Sequence, residues 1–445
     1  MHRFIPSTEE DKREMLKTIG AENIEALFVD IPKEVRLEGD LDLEMSKSEL
    51  EVSRIMHETL GKNRSTNDLV CFLGAGAYDH YVPSVVNHLS SRQEFATAYT
   101  PYQPEISQGT LQVIFEFQTM IAELTGMEVA NASMYDGPTA CAEAAAMAIA
   151  SGKKKNKIVV SETVHPEVIN VLKTYMRYSG AELVIAPMKD GETDYEALAG
   201  IVDDGTAGVL VQNPNFFGVI EDVKRSVDIA HDKKALAINY VDPIALSVLE
   251  APGKLGFDIV VGDGQGLGND LHFGGPYVGF FASSQKLVRK MPGRICGESV
   301  DSKGRRAFVL TLQAREQHIR RYKANSNICS NQGLIALRAT IYMSTMGKQG
   351  MQEVAKQCLA KSHYAAKKLT ESGKYKLAFD KPFFKEFALV GERSAQDVNA
   401  KLLENNILGG YDLGDLGVEN GALLCFTEKR TKAEIDQLAS VLEVL

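Results

Sequence analysis

Between Ser133 and about residue 282 the chain alternates short β-branched, apolar runs with longer segments, and no other feature constrains its fold as tightly. The runs are Lys157–Val160, Glu182–Ala186, Ala207–Val211, Ala235–Asn239 and Asp258–Val261, with Tyr277–Ala282 as a further strand. Helix-length segments separate the first four, and a shorter break containing Pro243 and Pro252 separates the last two. Ahead of them an alanine-rich helix begins at Gly137-Pro138, where a first turn tolerates proline, and reaches Gly152. A strand apolar along its whole length must be covered on both faces. Such strands alternating with helices predict an α/β domain built on a mainly parallel sheet.

The flanks are organised differently. Ser7 with Glu10 and Ser48 with Glu51 have capping-box spacing, and Gly20 and Gly61 supply stop signals, so two helices are expected near the N-terminus. Residues 72–109 are tyrosine-containing loop. Leu111, Ile114, Phe117, Ile121 and Leu124 then mark a helix over 110–125, closed by Gly126. Beyond Arg315 the pattern predicts helices at 351–373, 394–405 and 431–445 and strands at 374–380, 386–391 and 421–427. The resulting division is a helical arm (1–70), a large α/β domain (71–325) and a small C-terminal α+β domain (326–445).

With 445 residues there is ample chain for a sizeable core. The 59 acidic side chains exceed the 49 basic ones, giving a net charge of -10, which argues against nucleic acid or an anionic membrane as the main partner. Small molecules and proteins remain. The six cysteines show no Cys-x-x-Cys spacing and read as reduced thiols. No basic leader or long apolar run is present, so a soluble cytoplasmic protein is expected.

In an open α/β sheet, ligands gather beyond the C-terminal strand ends. That directs attention to Ser161, Asn213, Asp242 and the glycine cluster Gly262–Gly268. The cluster superficially resembles a dinucleotide fingerprint, but turn rather than helix follows it, so a glycine-rich loop is the better reading. The stretch Asn131–Pro138, with Ser133, Asp136 and Gly137, precedes a helix and can seat an anion on unpaired N–H groups; the alternative is that Asp136 merely caps. Asp242, just past a buried strand, is placed either to pair with the ring nitrogen of a pyridine cofactor or to form a turn before Pro243. Asn213 is either a cofactor-loop residue or a turn former. The histidines form no HExxH or comparable cluster, and no nucleophile elbow occurs, so no metal site is expected.

Taken together, Ala98–Gln112, Asn131–Gly137, Gln212–Asn215, Thr311–Arg321 and Asn325–Cys329 closely resemble the P-proteins of the glycine cleavage system. Among these the match is to the α-type subunit, the N-terminal half of the split bacterial enzyme, over essentially the whole chain. The resemblance implies a fold-type-I pyridoxal phosphate (PLP) architecture and an oxidoreductase of glycine catabolism. The implied chemistry is glycine decarboxylation on PLP and aminomethyl transfer to the lipoyl arm of H-protein. In the catalytic subunit a Schiff-base lysine follows a histidine in the loop after the last parallel strand. Residues 262–275 here contain no lysine; the nearest, Lys254 and Lys286, lie outside the loop.

That departure implies a subunit that pairs with a homologous lysine-bearing subunit 2 (β), in an α2β2 assembly, with PLP bound by the partner and none covalently attached here. Tyr99, Tyr102, Gln103, Glu105, Ser107 and Gln108 offer stacking surface and hydrogen-bonding groups to a shared site, or merely pack the interface. Ser133, Asp136, Gly137, Asn213 and Asp242 would then be vestigial cofactor-pocket positions. Arg315, His318, Arg320 and Arg321 are candidates to face the acidic H-protein or to make interface ion pairs. Two other readings stay open: an autonomous PLP enzyme using another lysine, and a purely structural partner subunit.

Overall fold

The computed structural model describes residues 4, 6–37, 39, 41–96, 100–272, 274–324, 326 and 332–445. The chain divides into two compact units, Met1–Arg64 and Ser65–Leu445. In the first, helices α1 (Glu9–Ile19) and α2 (Glu49–Leu60) bury none of their residues. The capping box of α1 lies one residue beyond the expected pair: Thr8 accepts from the Asp11 N–H, and the Asp11 side chain accepts from Thr8. Aspartate serves at the third helical position as glutamate would. Ser48 and Glu51 cap α2 as expected.

The second unit is organised around a seven-stranded sheet of β1 (Val129–Ala130), β2 (Lys157–Ser161), β3 (Glu182–Ala186), β4 (Thr206–Asn213), β5 (Leu236–Val241), β6 (Ile259–Asp263) and β7 (Gly279–Ser283). The order is β1-β7-β6-β5-β4-β2-β3, with β2 to β6 parallel and β7 antiparallel to both neighbours. The period of two explains the unbroken apolar runs. Val159, Val209, Val211 and Val260 face α3 (Gln108–Thr125), α6 (Tyr195–Ile201), α7 (Lys224–Asp232) and α8 (Gly333–Thr370). Ile158, Val160, Leu210, Ile259 and Val261 face α4 (Gly137–Ser151) and α5 (Pro166–Met176). Both faces are thus core, at roughly 1.5–3 kcal/mol for each large apolar side chain fully buried.

A hairpin, β8 (Ile295–Val300) and β9 (Arg306–Thr311), follows the sheet. The chain then enters α8, which starts at Gly333, earlier than the expected 351, and is interrupted at Gly347, where φ is 58° and ψ is −176°. The C-terminal layer is an antiparallel sheet ordered β10-β11-β13-β12: Lys376–Leu377, Glu386–Val390, Gly421–Cys425 and Tyr411–Asp412. Helices α9 (Ala395–Glu404) and α10 (Lys432–Val444) pack with the second half of α8 against it. Cys71, Cys141, Cys296, Cys358 and Cys425 are buried and free; Cys329 lies outside the described residues. No helix among the described residues is long and apolar enough to cross a membrane.

A self-paired site at the strand ends

Register places the site. Asn213 pairs with Val241, and Val241 with Gly262, so the chain leaves three neighbouring strands side by side. Asn213, Asp242 and Asp263 therefore share the C-terminal edge of the sheet, where open α/β sheets bind ligands. Asn213, the last residue of β4, accepts from the Glu221 N–H at 3.1 Å. Asp242 accepts from the Ile244 N–H at 2.8 Å through Oδ1, while Oδ2 meets the Nζ of Lys385 at 2.5 Å.

Lys385 comes from the C-terminal layer, at the entrance to β11, and only 2% of its side chain is exposed. Its ammonium lies 3.3 Å from the centroid of the Tyr78 ring and 3.1 Å from His80 Nε2. An ammonium only donates, so His80 Nε2 accepts and its Nδ1–H donates to Glu428, 2.6 Å away. Burial opposes the Asp242 charge, but the adjacent ammonium outweighs it and holds the carboxyl below its ordinary value. Burial opposes the ammonium too, and Asp242 outweighs that in turn, raising Lys385. Glu386, next in sequence, accepts from the Ala75 N–H at 2.7 Å and from the Tyr78 hydroxyl at 2.8 Å. Burial pushes its carboxyl up to about 7.

The expected anion seat at the start of α4 is also engaged. Asp136 caps the helix, accepting from the Thr139 N–H at 2.8 Å, and Asp263 Oδ2 accepts from the Gly137 N–H at 3.0 Å. Only glycine fits at 137, because a Cβ there would lie 2.7 Å from the Tyr240 hydroxyl. Burial pushes Asp263 up to about 7, and the Asp136 charge adds to the rise. Ser133 accepts from the Gln332 N–H. Ser161 bonds to the Thr163 and Thr193 hydroxyls.

The tyrosine loop has a different setting. Tyr102 is 60% exposed, and the Arg294 guanidinium covers its ring at 5.1 Å. The pair opens on a cleft of about 470 Å³ lined also by Gln313, Glu316 and His318. Gln103 and Glu105 are exposed, and Ser107 is buried. The Gln108 amide bonds to Pro104 and to both backbone groups of Phe308, tying α3 to the hairpin. Tyr99 lies outside the described residues. Arg315 donates to the carbonyls of Met291, Gly293 and Leu312, and Arg320 to that of Ala314, so both are local braces. Lys286 pairs with Asp258.

Sequence reasoning reached Asn213, Asp242 and Gly137 but not Lys385, His80, Glu428 or Asp263. Asp263 sits inside the glycine cluster and was readable there as an acid at a strand end. The other three carry no local signal.

The strand order, with its single antiparallel strand beside β6, defines the fold-type-I scaffold of PLP-dependent enzymes. A sphingosine-1-phosphate lyase of Burkholderia pseudomallei (TM-score 0.65, 13% identity, 92% of both chains) and a cysteine desulfurase of Escherichia coli (0.63, 14%, 85% of this chain and 95% of the other) share that fold. The family is narrower. The chain belongs to the glycine cleavage system P-protein family, whose model matches residues 2–442. It is 53% identical over 441 residues to the probable glycine dehydrogenase (decarboxylating) subunit 1 of Moorella thermoacetica, covering 99% of this chain and 98% of the relative. Over 447 residues it is 55% identical to the protein of the same name in Brevibacillus brevis, covering 100% and 99%. It also matches the crystal structure of a glycine decarboxylase (P-protein) of the glycine cleavage system in inhibitor-bound form, with a TM-score of 0.90, 43% identity and 99% of both chains covered.

Proposed function

We propose that this chain is the non-Schiff-base subunit of a heteromeric glycine decarboxylase. In that assembly a homologous lysine-bearing subunit carries PLP, glycine is decarboxylated, and the aminomethyl group passes to the lipoyl arm of H-protein. The observation that carries the reading is the lysine-free loop 262–275 in a chain that matches the P-protein family over residues 2–442. The residues present do not fit PLP. Its Schiff-base lysine is missing, Asp242 already holds a cation, and the helix start meant for its phosphate holds a carboxylate. Lys385 does not rescue an autonomous enzyme. In PLP the aldehyde carbon and the ring nitrogen lie on opposite sides of the ring, so a lysine bonded to the nitrogen's carboxylate partner is at the wrong end. Tyr102 and Gln103, exposed beside the Arg294 cleft, are the groups proposed to reach the shared site, with Tyr99 and Glu105 near them in sequence.

The purified chain, mixed with PLP and borohydride, is expected to trap no one-to-one aldimine at a single lysine beyond diffuse labelling of surface lysines, and to support glycine–bicarbonate exchange only when the lysine-bearing subunit is added. A borohydride-stable adduct with activity from this chain alone would sink the reading. Tyr102→Ala with Gln103→Ala is expected to lower exchange by the mixed subunits at least tenfold while leaving their association intact. Unchanged exchange would leave the purely structural partner as the better account.

A further inference from the structure

The geometry points to a cofactor pocket that this chain has filled with its own side chains: Lys385 stands in for the cofactor's pyridinium on Asp242, and Asp263 for its phosphate at the start of α4. The inference rests on the proposed placement of PLP in the partner subunit and deepens it, since it says what became of the second pocket. A fold-type-I site asks for a cation against the carboxylate at the end of β5 and for an anion on the first N–H groups of α4. Both positions are occupied internally, by the Lys385 ammonium and by the Asp263 carboxyl group, which accepts from the Gly137 N–H.

Three further observations agree. The cavity between the two stand-ins, lined by Tyr78, His165, Gln212, Tyr240, Asp242 and Asp263, is about 30 Å³. That admits a water or two, whereas a small-ligand site needs roughly 300 Å³ or more. Next, the Lys385 ammonium has a complete set of partners: a carboxylate, an imidazole nitrogen and an aromatic face. Nothing is left over to receive a ligand. Finally, Lys385 immediately precedes β11 of the small sheet and Asp242 immediately follows β5 of the large one, so their ion pair fastens the two layers across the place where a coenzyme would lie. The Lys385–Asp242 pair needs no ligand to balance its charges.

The test uses the full-length chain alone with pyridoxamine 5′-phosphate, which has no aldehyde and so cannot label surface lysines. No saturable binding is expected by calorimetry up to about 1 mM, a limit well above the micromolar range of specific small-ligand sites. One-to-one micromolar binding that Asp242→Asn abolishes would overturn the inference. A stability cycle supplies the second reading. Lys385→Met and Asp242→Asn each leave a buried charge unpaired and are expected to lower the Tm by roughly 3–5 °C, and the double variant to recover at least half of that loss. Losses that simply add would also overturn it. If a single variant does not accumulate, failure of the double variant to restore folded protein counts the same way. Neither measurement involves the partner subunit, so failure here and failure of the exchange assay are separate results.

Discussion

Asp263 shows how much one side chain decides at the strand ends. Its ordinary carboxyl value is 3.8, and burial pushes it up to about 7 in the folded chain against the pull of the Gly137 and Gln265 N–H groups. The folded state therefore binds more protons than the unfolded chain between those values. The resulting stabilisation is complete below about pH 4 and is lost as the pH climbs through 7. Asparagine keeps the shape and an acceptor oxygen but never ionises. Asp263→Asn is expected to raise the Tm relative to the native chain at pH 8 and to change it much less at pH 5. A difference of equal size at both pH values would mean that Asp263 does not titrate in this window. The same residue marks the limit of what the sequence discloses about the site. An acid at the end of a buried strand is visible in Gly262–Gly268. That it would turn onto the first N–H of a helix more than a hundred residues earlier is not, because the contact is created by the order of strands.

Elements report most directly on local rules. The runs β2, β4, β5 and β6 were legible because both faces of a central parallel strand are buried, while β3, at the edge of the sheet, is largely uncovered; α4 was legible because its proline and cap sit where a first turn accepts them. The start of α8 was not. The helix packs against α3, the short helix Ser84–Ser90 and the turn Ala245–Ser247, all distant in sequence, and Gly347 breaks the rhythm between its halves. With φ at 58° and ψ at −176°, Gly347 occupies a backbone region that is closed to other residues, so the break is written by one glycine. Gly347→Ala is expected to lower the unfolding free energy by about 1–3 kcal/mol, seen as a lower urea midpoint with an unchanged slope. An unaltered midpoint would show that the helix can run through this position at no cost.

At the scale of the whole molecule, one irregular strand holds the second unit together. Val70–Cys71 pairs in parallel with Ile407–Leu408, the Cys425 N–H donates to the Phe72 carbonyl at 2.9 Å, and Glu428 receives His80 and the Tyr81 N–H. From its other side the same segment exchanges two hydrogen bonds between Tyr78 and Gln265 of the glycine-rich loop. Residues 70–82 thus stitch the small sheet to the edge of the large one, directly over the Lys385–Asp242 pair. Asp79 is the charged anchor of the stitch, meeting Lys429 at 2.5 Å and Arg430 at 3.1 Å, with 8% of its side chain exposed and 5% of that of Arg430. Asp79→Asn strips the counter-charge from a buried guanidinium, whose remaining acidic neighbour, Glu434, lies 3.9 Å away. Removing one partner of a buried pair costs about 3–5 kcal/mol, which corresponds to roughly a hundredfold or more in a local opening equilibrium. Amide hydrogen exchange is therefore expected to accelerate by that factor in residues 72–82 and 425–431 together, while β4, β5 and β6 keep their protection. Acceleration in only one of the two segments would show that they open separately, and that the small sheet is fastened to the large one by the Lys385–Asp242 pair without help from the stitch.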